Sequence, residues 1–589
     1  MYRNSFKKEL KSHEKTNNIR IRILSFVIFL FSASIFLKLF DLQIINYGFY
    51  NALASDQHQI FKKLTPQRGS IYIHDTSIAG EENSDDIYES LYPIAVNKKY
   101  NFLYAEPNRI EDAERVAEIL NDIFGFDKEE LKNKLSVKED PYEPLAHRVE
   151  DKIINQVNSG GLVGINSVDE YARHYPDSGI GGHIIGFVGH GDDVENGQYG
   201  IEGYFNEELS GKAGFIKTER DVKGNFLKLW DVSFTEAVNG VDIVLTIDYG
   251  IQHEICMELQ SGVEKYKADG GSIIVMEPYT GEILGMCSYP DFNPEKYNEV
   301  KEINTFNNPA LFNQFEPGSI FKPITAAIAL DLEKIKPDSV YEDKGEVRIG
   351  PHIIRNSDLK AHGSQTMTQV LQESLNTGAI YIARQIGKEN FKSYLSDFGF
   401  GQLTGIELTT EASGNINSLN EQGEIYMATA SFGQGIAVTP LQITTAYAAL
   451  ANGGRLPKTH IVDKIIKNQM DVTKSHPQTV RQVISERASA LIRGMLVTVV
   501  ESGHAKKAGV KGYYVAGKTG TAQVAEKGIY GKKTIHTFSG FAPVDEPKFV
   551  LLVKLDNPKI GRFAESTAVP LAHEIIEFIL NYYEVPPVR

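Results

Sequence analysis

Three short stretches carry side chains able to make and break an acyl bond: Ser319-Ile320-Phe321-Lys322, Ser374-Leu375-Asn376 and Lys518-Thr519-Gly520-Thr521. A serine hydroxyl is a poor nucleophile until a base takes its proton. A lysine three places further along a helix shares its face, so Lys322 can reach the Ser319 oxygen. It can act as that base only if its pKa, ordinarily about 10.4, is driven down. Burial does this, and so does a second cation nearby, for which Lys518 is the candidate. Ser374 can shuttle a proton, and the Asn376 amide can hold a substrate carbonyl. Lys518 and Thr519 suit a terminal carboxylate, and Gly520 lets backbone approach a ligand closely. The N–H groups of Ser319 and Thr521 can form an oxyanion hole.

Context separates these motifs from chance matches. SxxK also occurs at Ser5-Lys8, Ser12-Lys15 and Ser357-Lys360, and SxN also occurs at Ser413-Asn415 and Ser418-Asn420. Ser357 lies in a polar stretch with no apolar helical pattern behind it. Ser319 follows the turn Glu316-Pro317-Gly318 and leads into ITAAIALDL, which places it at a helix N-terminus. Pro323 falls in the first turn, where its missing N–H costs little. KTG occurs once, among apolar residues that predict a strand.

These residues need a scaffold that gathers distant segments. Val241–Asp248 alternates like a strand, and Ile251, Ile255, Leu259 and Val263 follow at helical spacing. Ser272–Met276 and Glu282–Met286 flank a Pro278-Tyr279-Thr280-Gly281 turn and predict a hairpin. Helical patterns cover 319–335, 366–387, 440–452 and 486–503, with Ser374 and Asn376 inside a helical stretch or at a break in it. Strands return over 513–555, and Pro570–Tyr583 predicts a last helix. Strands at both ends with helices between predict an α+β domain whose sheet is assembled from both ends of this segment. Residues 44–235, with many turn signals and short apolar runs, predict an irregular α+β region.

At 589 residues the chain exceeds one ordinary core. Its 42% hydrophobic and 23% charged residues mark a globular protein, and a net charge of -15 argues against nucleic acid as main partner. Ile23–Leu42 is apolar over about the length of a bilayer-spanning helix. Arg3, Lys7, Lys8, Lys11, Lys15, Arg20 and Arg22 precede it, which puts the N-terminus in the cytoplasm and the remainder outside. A cleaved signal peptide would need its site at Ser32-Ala33-Ser34, inside the apolar run, so an uncleaved anchor is expected. The two cysteines, Cys256 and Cys287, sit in no CxxC or Cys/His cluster, which leaves a zinc site unsupported. A disulfide between them is open but not expected, since Cys287 lies in an apolar run and is better read as a small core residue.

SxN about 55 residues after SxxK, and KTG about 200 after the serine, form a pattern similar to that of penicillin-binding proteins and class A β-lactamases. Nearly the whole chain resembles class B penicillin-binding proteins, the monofunctional transpeptidases of the septal and elongation machineries. GVDIVLTIDYGIQ is similar to that family's lead into its catalytic domain, and MEPYTGEILGMCSYPDFNP to its first strand pair. FEPGSIFKP resembles the nucleophile segment, SFGQGIAVTPLQ (Ser431 to Gln442) a helix-leading signature, and GKTGTAQ the third motif. Upstream, Arg68-Gly69, Arg173-Tyr175-Pro176 and Gly200-Ile201-Glu202 look like its pedestal motifs. Ile73-His74-Asp75-Thr76 stands where the family has an acidic-Arg-Asn-Gly run.

The resemblance implies a cytoplasmic tail over 1–22 and a transmembrane anchor over 23–43. A pedestal (dimerisation) domain is implied over 44–235, and over 236–589 a β-lactamase-like transpeptidase domain with an antiparallel sheet flanked by helices. It implies a D,D-transpeptidase that crosslinks peptidoglycan stem peptides through a Ser319 acyl-enzyme and is trapped by β-lactams. Lys322, Ser374, Asn376 and Lys518 would share the catalysis, Thr519, Gly520 and Thr521 would bind substrate, and no cofactor or metal is implied. The implied partners are a polytopic membrane glycosyltransferase and other divisome or elongasome proteins at the bacterial cell membrane. A D,D-carboxypeptidase using water is one alternative. A second is a β-lactam sensor or structural activator of the glycosyltransferase, in which Ser319 chemistry is dispensable, and a third is a membrane-anchored binding protein in which the motifs are accidental.

Overall fold

The computed structural model describes residues 59–76, 87–177, 181–190, 195–220, 226–227, 233–467, 471–526 and 529–588. The expected tail and anchor, 1–43, lie outside the described residues. Among the described residues no helix is long and apolar enough to cross a membrane.

The chain divides into two units. The smaller takes the described residues up to Gln67 together with Gly211–Asn239. In it Gly214–Arg220 pairs antiparallel with Gln59–Leu64 on one side and Ser233–Thr235 on the other. The larger takes Arg68–Ser210 and Gly240–Arg589.

The larger unit is built from β1 (Ile71–His74), β2 (Leu91–Ala105), β3 (Asp242–Asp248), α1 (Tyr249–Tyr266), β4 (Gly270–Met276) and β5 (Ile283–Tyr289). Next come α2 (Lys322–Asp331), α3 (Met367–Gln372), α4 (Asn376–Ile386), α5 (Pro440–Ala451) and α6 (Glu486–Ser502). It closes with β6 (Ala516–Glu526), β7 (Ile529–Ala542), β8 (Phe549–Asp556) and α7 (Ala568–Tyr582). One sheet runs Asp471–Lys474, Val462–Lys467, β3, β1, β2, Glu143–Val149, with Ile165–His174 also on β2. β3 is parallel to β1 and antiparallel to Val462–Lys467, so it is a central strand. That explains why Ile243–Asp248 are buried on both faces despite their alternating pattern.

Arg68, Arg173 and Glu202, far apart in sequence, meet beside this sheet. Glu202 accepts from Arg68 Nε at 2.7 Å and from Arg173 Nε at 2.5 Å, while Arg173 Nη1 donates to Gly69 O at 2.8 Å. Gly69 has to be glycine: a Cβ there would lie 1.8 Å from Val241 O.

The second sheet is antiparallel throughout, in the order β5-β4-β8-β7-β6. Its strands come from both ends of residues 270–556, as the sequence pattern predicts. Cross-strand register puts Lys518, Gly520, Thr537 and Lys554 on one face, and Thr521, His536 and Leu555 on the other. The first face meets Ile320, and the second meets Thr567 next to α7. α2, buried from Lys322 to Leu330, is a core helix packed among α3, α4, α5 and α6.

The cysteines correct the sequence reading. Cys256 on α1 and Cys287 on β5 form a disulfide, with Cα atoms 5.4 Å apart. α1 packs directly on β5, where a Cβ at Gly285 would lie 2.8 Å from Ile255. That contact brings the two cysteines together across 31 residues, and no local motif announces it.

Candidate active site

Ser319 lies in a single 3₁₀ turn, Gly318–Phe321, that runs straight into α2. Backbone grips this turn from two sides. Gly318 (φ 58°) donates its N–H to Gly433 O at 2.9 Å, and Gly433 (φ 80°) comes so close that a Cβ would lie 2.3 Å from Gly318 O. On the β6 side, a Cβ at Gly520 would stand 3.1 Å from Ile320 and 3.2 Å from Pro317 O. From α5, Tyr447 Oη donates to Ile320 O at 2.7 Å. Ile320 and Phe321 are fully buried, while Ser319 itself is half-buried.

Lys322 is 1% exposed. Its Nζ donates to Ser374 O at 2.5 Å and to Ser374 Oγ at 3.2 Å. Ser374 occupies a break between α3 and α4, with φ 57° in the left-handed region. Of the two readings the sequence allowed, the break is the one found. Burial first, then the Lys518 cation, holds the Lys322 amine well below the usual lysine range. Lys518 is 0% exposed and is pushed down to about 7 by burial. Its Nζ donates to Thr519 O at 3.2 Å. Among the described residues no carboxylate acts on either amine.

Asn376 opens α4, and its Nδ2 donates to Arg355 O at 2.9 Å. Thr519 is buried, and the Thr521 hydroxyl accepts from Ala564 N at 3.0 Å. The structure thus brings Ser319, Lys322, Ser374, Lys518 and Gly520 around one turn and one strand. Ser357, the competing SxxK serine, stands exposed in a turn, and Ser5 and Ser12 lie outside the described residues.

Sequence reasoning passed over several supporting residues. Tyr447 and Gly433 hold the nucleophile turn, and the glycine pair of Ser431-Phe432-Gly433-Gln434-Gly435 was the available signal for the second. Glu316 accepts from Gly435 N at 2.9 Å and from Tyr530 Oη at 3.0 Å, tying the segment before Ser319 to β7. Burial raises its pKa.

The penicillin-binding protein transpeptidase domain matches residues 271–577, and the penicillin-binding protein dimerisation domain matches 63–245. This chain belongs to the class B penicillin-binding proteins. It is an enzyme, a serine-type D,D-transpeptidase. Stage V sporulation protein D of Bacillus subtilis is 32% identical over 588 residues, covering 97% of this chain and 88% of its own. The peptidoglycan D,D-transpeptidase FtsI of Escherichia coli is 28% identical, covering 84% and 82%. Among solved structures, a peptidoglycan synthetase from Bifidobacterium adolescentis superposes with a TM-score of 0.70 at 25% identity, covering 90% of this chain and 98% of that one.

Proposed function

We propose that this penicillin-binding protein crosslinks peptidoglycan stem peptides through an acyl-enzyme on Ser319. Lys322 takes the hydroxyl proton, and the Ser319 oxygen attacks the carbonyl between the two terminal D-alanines. N–H groups of Ser319 and Thr521 stabilise the oxyanion, each worth about 3 kcal/mol. D-Alanine leaves with a proton passed through Ser374, and the amine of a neighbouring stem peptide then attacks the ester, freeing Ser319. Asn376 holds the substrate amide, and Lys518 and Thr519 take the terminal carboxylate, with Gly520 admitting the substrate backbone. A β-lactam matches the D-Ala-D-Ala end and leaves Ser319 acylated.

The observation that carries this reading is the uncompensated amine of Lys322, buried one helical turn from Ser319 and hydrogen-bonded to Ser374. An amine depressed in this way gives up its proton more readily than an ordinary lysine and is suited to act as a base. The apolar segment at 23–43 supports a membrane anchor that keeps the catalytic domain outside the cytoplasm. A polytopic glycosyltransferase, with other divisome or elongasome proteins, is the partner that fits such an enzyme, met through residues 44–235.

Labelling by a fluorescent penicillin tests the assignment. Wild type and Ser357→Ala are expected to label and Ser319→Ala to stay dark. Label surviving in Ser319→Ala would mean that another nucleophile acts, and no label on folded wild type would favour the sensor or scaffold reading.

A further inference from the structure

A buried polar cluster around one carboxylate, Asp343, sits behind the Ser374–Asn376 segment, and the mechanism above does not use it. α4 begins at Asn376, and its N-cap residue, Leu375, has no side chain able to accept a hydrogen bond. The first N–H groups of a helix need acceptors from elsewhere. Asn356 supplies one, its Oδ1 accepting from Thr377 N at 3.2 Å. Asp343 holds Asn356 in turn: Asp343 Oδ2 accepts from Asn356 Nδ2 and from His362 N, both at 2.9 Å. The other carboxylate oxygen accepts from Thr377 Oγ1 at 2.7 Å and from Gly345 N at 3.0 Å.

Asp343 and Asn356 are each 2% exposed, and Thr377 is 3%. Four neutral donors and the N-terminal end of α4 stabilise the carboxylate there. The same segment reaches Asn376 twice. Thr377, the next residue, is bound through both its N–H and its hydroxyl, and Arg355, the residue before Asn356, accepts from the Asn376 side chain. Ser374, on the other side, is in the left-handed region, which few residues other than glycine adopt. Such a break stays in place only when both flanks are held. α3 is held by its own capping box, Thr366 with Gln369, whereas α4 depends on this cluster.

We propose that Asp343, acting through Asn356 and Thr377, is a positioning residue for transpeptidation: it fixes the start of α4 so that Ser374 stays on Lys322 and Asn376 stays at the substrate. The proposal rests on the site assignment made above.

The test measures the rate of acylation of the full chain by a fluorescent penicillin, with the thermal midpoint recorded beside it. Asp343→Asn trades a fourfold acceptor for one that offers a single oxygen, and slows acylation by about tenfold or more. In a Ser374→Ala/Asn376→Ala background the side chains it positions are gone and only the Ser374 carbonyl still meets Lys322, so the same change costs less than about threefold. A purely structural role predicts the same fold-loss in both backgrounds, and that result would overturn the proposal. Should Asp343→Asn fail to fold, Thr377 decides: Thr377→Val, similar in shape but without the hydroxyl, slows acylation, and Thr377→Ser recovers most of the rate. Equal losses in Thr377→Val and Thr377→Ser would also overturn it. The Ser319→Ala control separates the two levels, since label there removes the site assignment itself and the proposal with it.

Discussion

Two of the buried charge clusters among the described residues of the larger unit are built on opposite terms. At the first, Glu202, 0% exposed, receives both Arg68 and Arg173, and the guanidiniums find further oxygens on Gly69, Asn206 and Ser210. Only Arg173 Nη2 is left without a partner there. At the second, Lys322 and Lys518 are just as buried, yet their acceptors are the neutral oxygens of Ser374 and Thr519. Taking a charge out of water costs several kcal/mol unless an opposite charge and hydrogen bonds offset it. The first cluster keeps its charges and holds three distant segments together. The second holds its protons less readily than ordinary lysines do, and a lysine without its proton is a base. Burial alone therefore does not mark a reactive group, whereas burial without a counter-charge does.

The largest expected effect comes from removing that base. Lys322→Met should slow acylation by about a thousandfold, the scale of general base catalysis, while making the protein more stable by about 1–3 kcal/mol. The sign follows from linkage. The folded-state pKa of Lys322 lies below that of an unfolded lysine, so the unfolded chain binds more protons and folding carries a penalty. That penalty is full below the depressed folded-state pKa, shrinks as pH rises from there toward about 10.4, the unfolded lysine value, and is gone above it. The gain in Lys322→Met should fade over the same range, read from denaturant midpoints as a function of pH. A destabilised Lys322→Met would break the comparison.

Glu202→Ala should do the reverse. It leaves two guanidiniums buried without their carboxylate and should cost about 3–5 kcal/mol of stability. Acylation of the protein that remains folded should change little. The disulfide provides an uncharged control. Cys256→Ser opens a loop of about 31 residues and should cost about 3.7 kcal/mol by the chain-entropy relation, again with acylation retained. If either change slowed acylation as much as it lowered stability, the separation between holding and reacting would fail.

Sequence revealed these regions to different extents. The reactive residues were readable because each needs a particular neighbour in the chain: lysine three after serine, asparagine two after serine, glycine after lysine and threonine. The strands and helices around them were readable from periodicity, as with α1 and the β4–β5 hairpin. What sequence left open was set by tertiary packing. The break at Ser374 depends on acceptors from Asp343 and Asn356, which local pattern does not register. The Cys256–Cys287 bond depends on α1 lying across Gly285. Gly433 serves the nucleophile turn more than a hundred residues away, so nothing beside it discloses the partner.

The smallest effect, and the most direct check on the cause, is a displaced pH profile. With Lys322 as the proposed base, the acylation rate in wild type should rise with pH as its proton is lost and then level. Lys322 is depressed first by burial and second by the Lys518 cation. Lys518→Gln removes that second cause and keeps the burial. Lys322 then holds its proton to higher pH, so the acid limb should move upward, with several-fold slower acylation on the acid side and little loss on the alkaline side. Losing Lys518 also weakens the grip on a substrate carboxylate. The limb must therefore be read from the limiting acylation rate at saturating β-lactam, where binding no longer contributes. In wild type the two amines titrate as a coupled pair, and the variant should show one step where wild type shows two. A limb that stays put, or moves downward, would mean that burial alone depresses Lys322, and the role of the second lysine would shrink to binding.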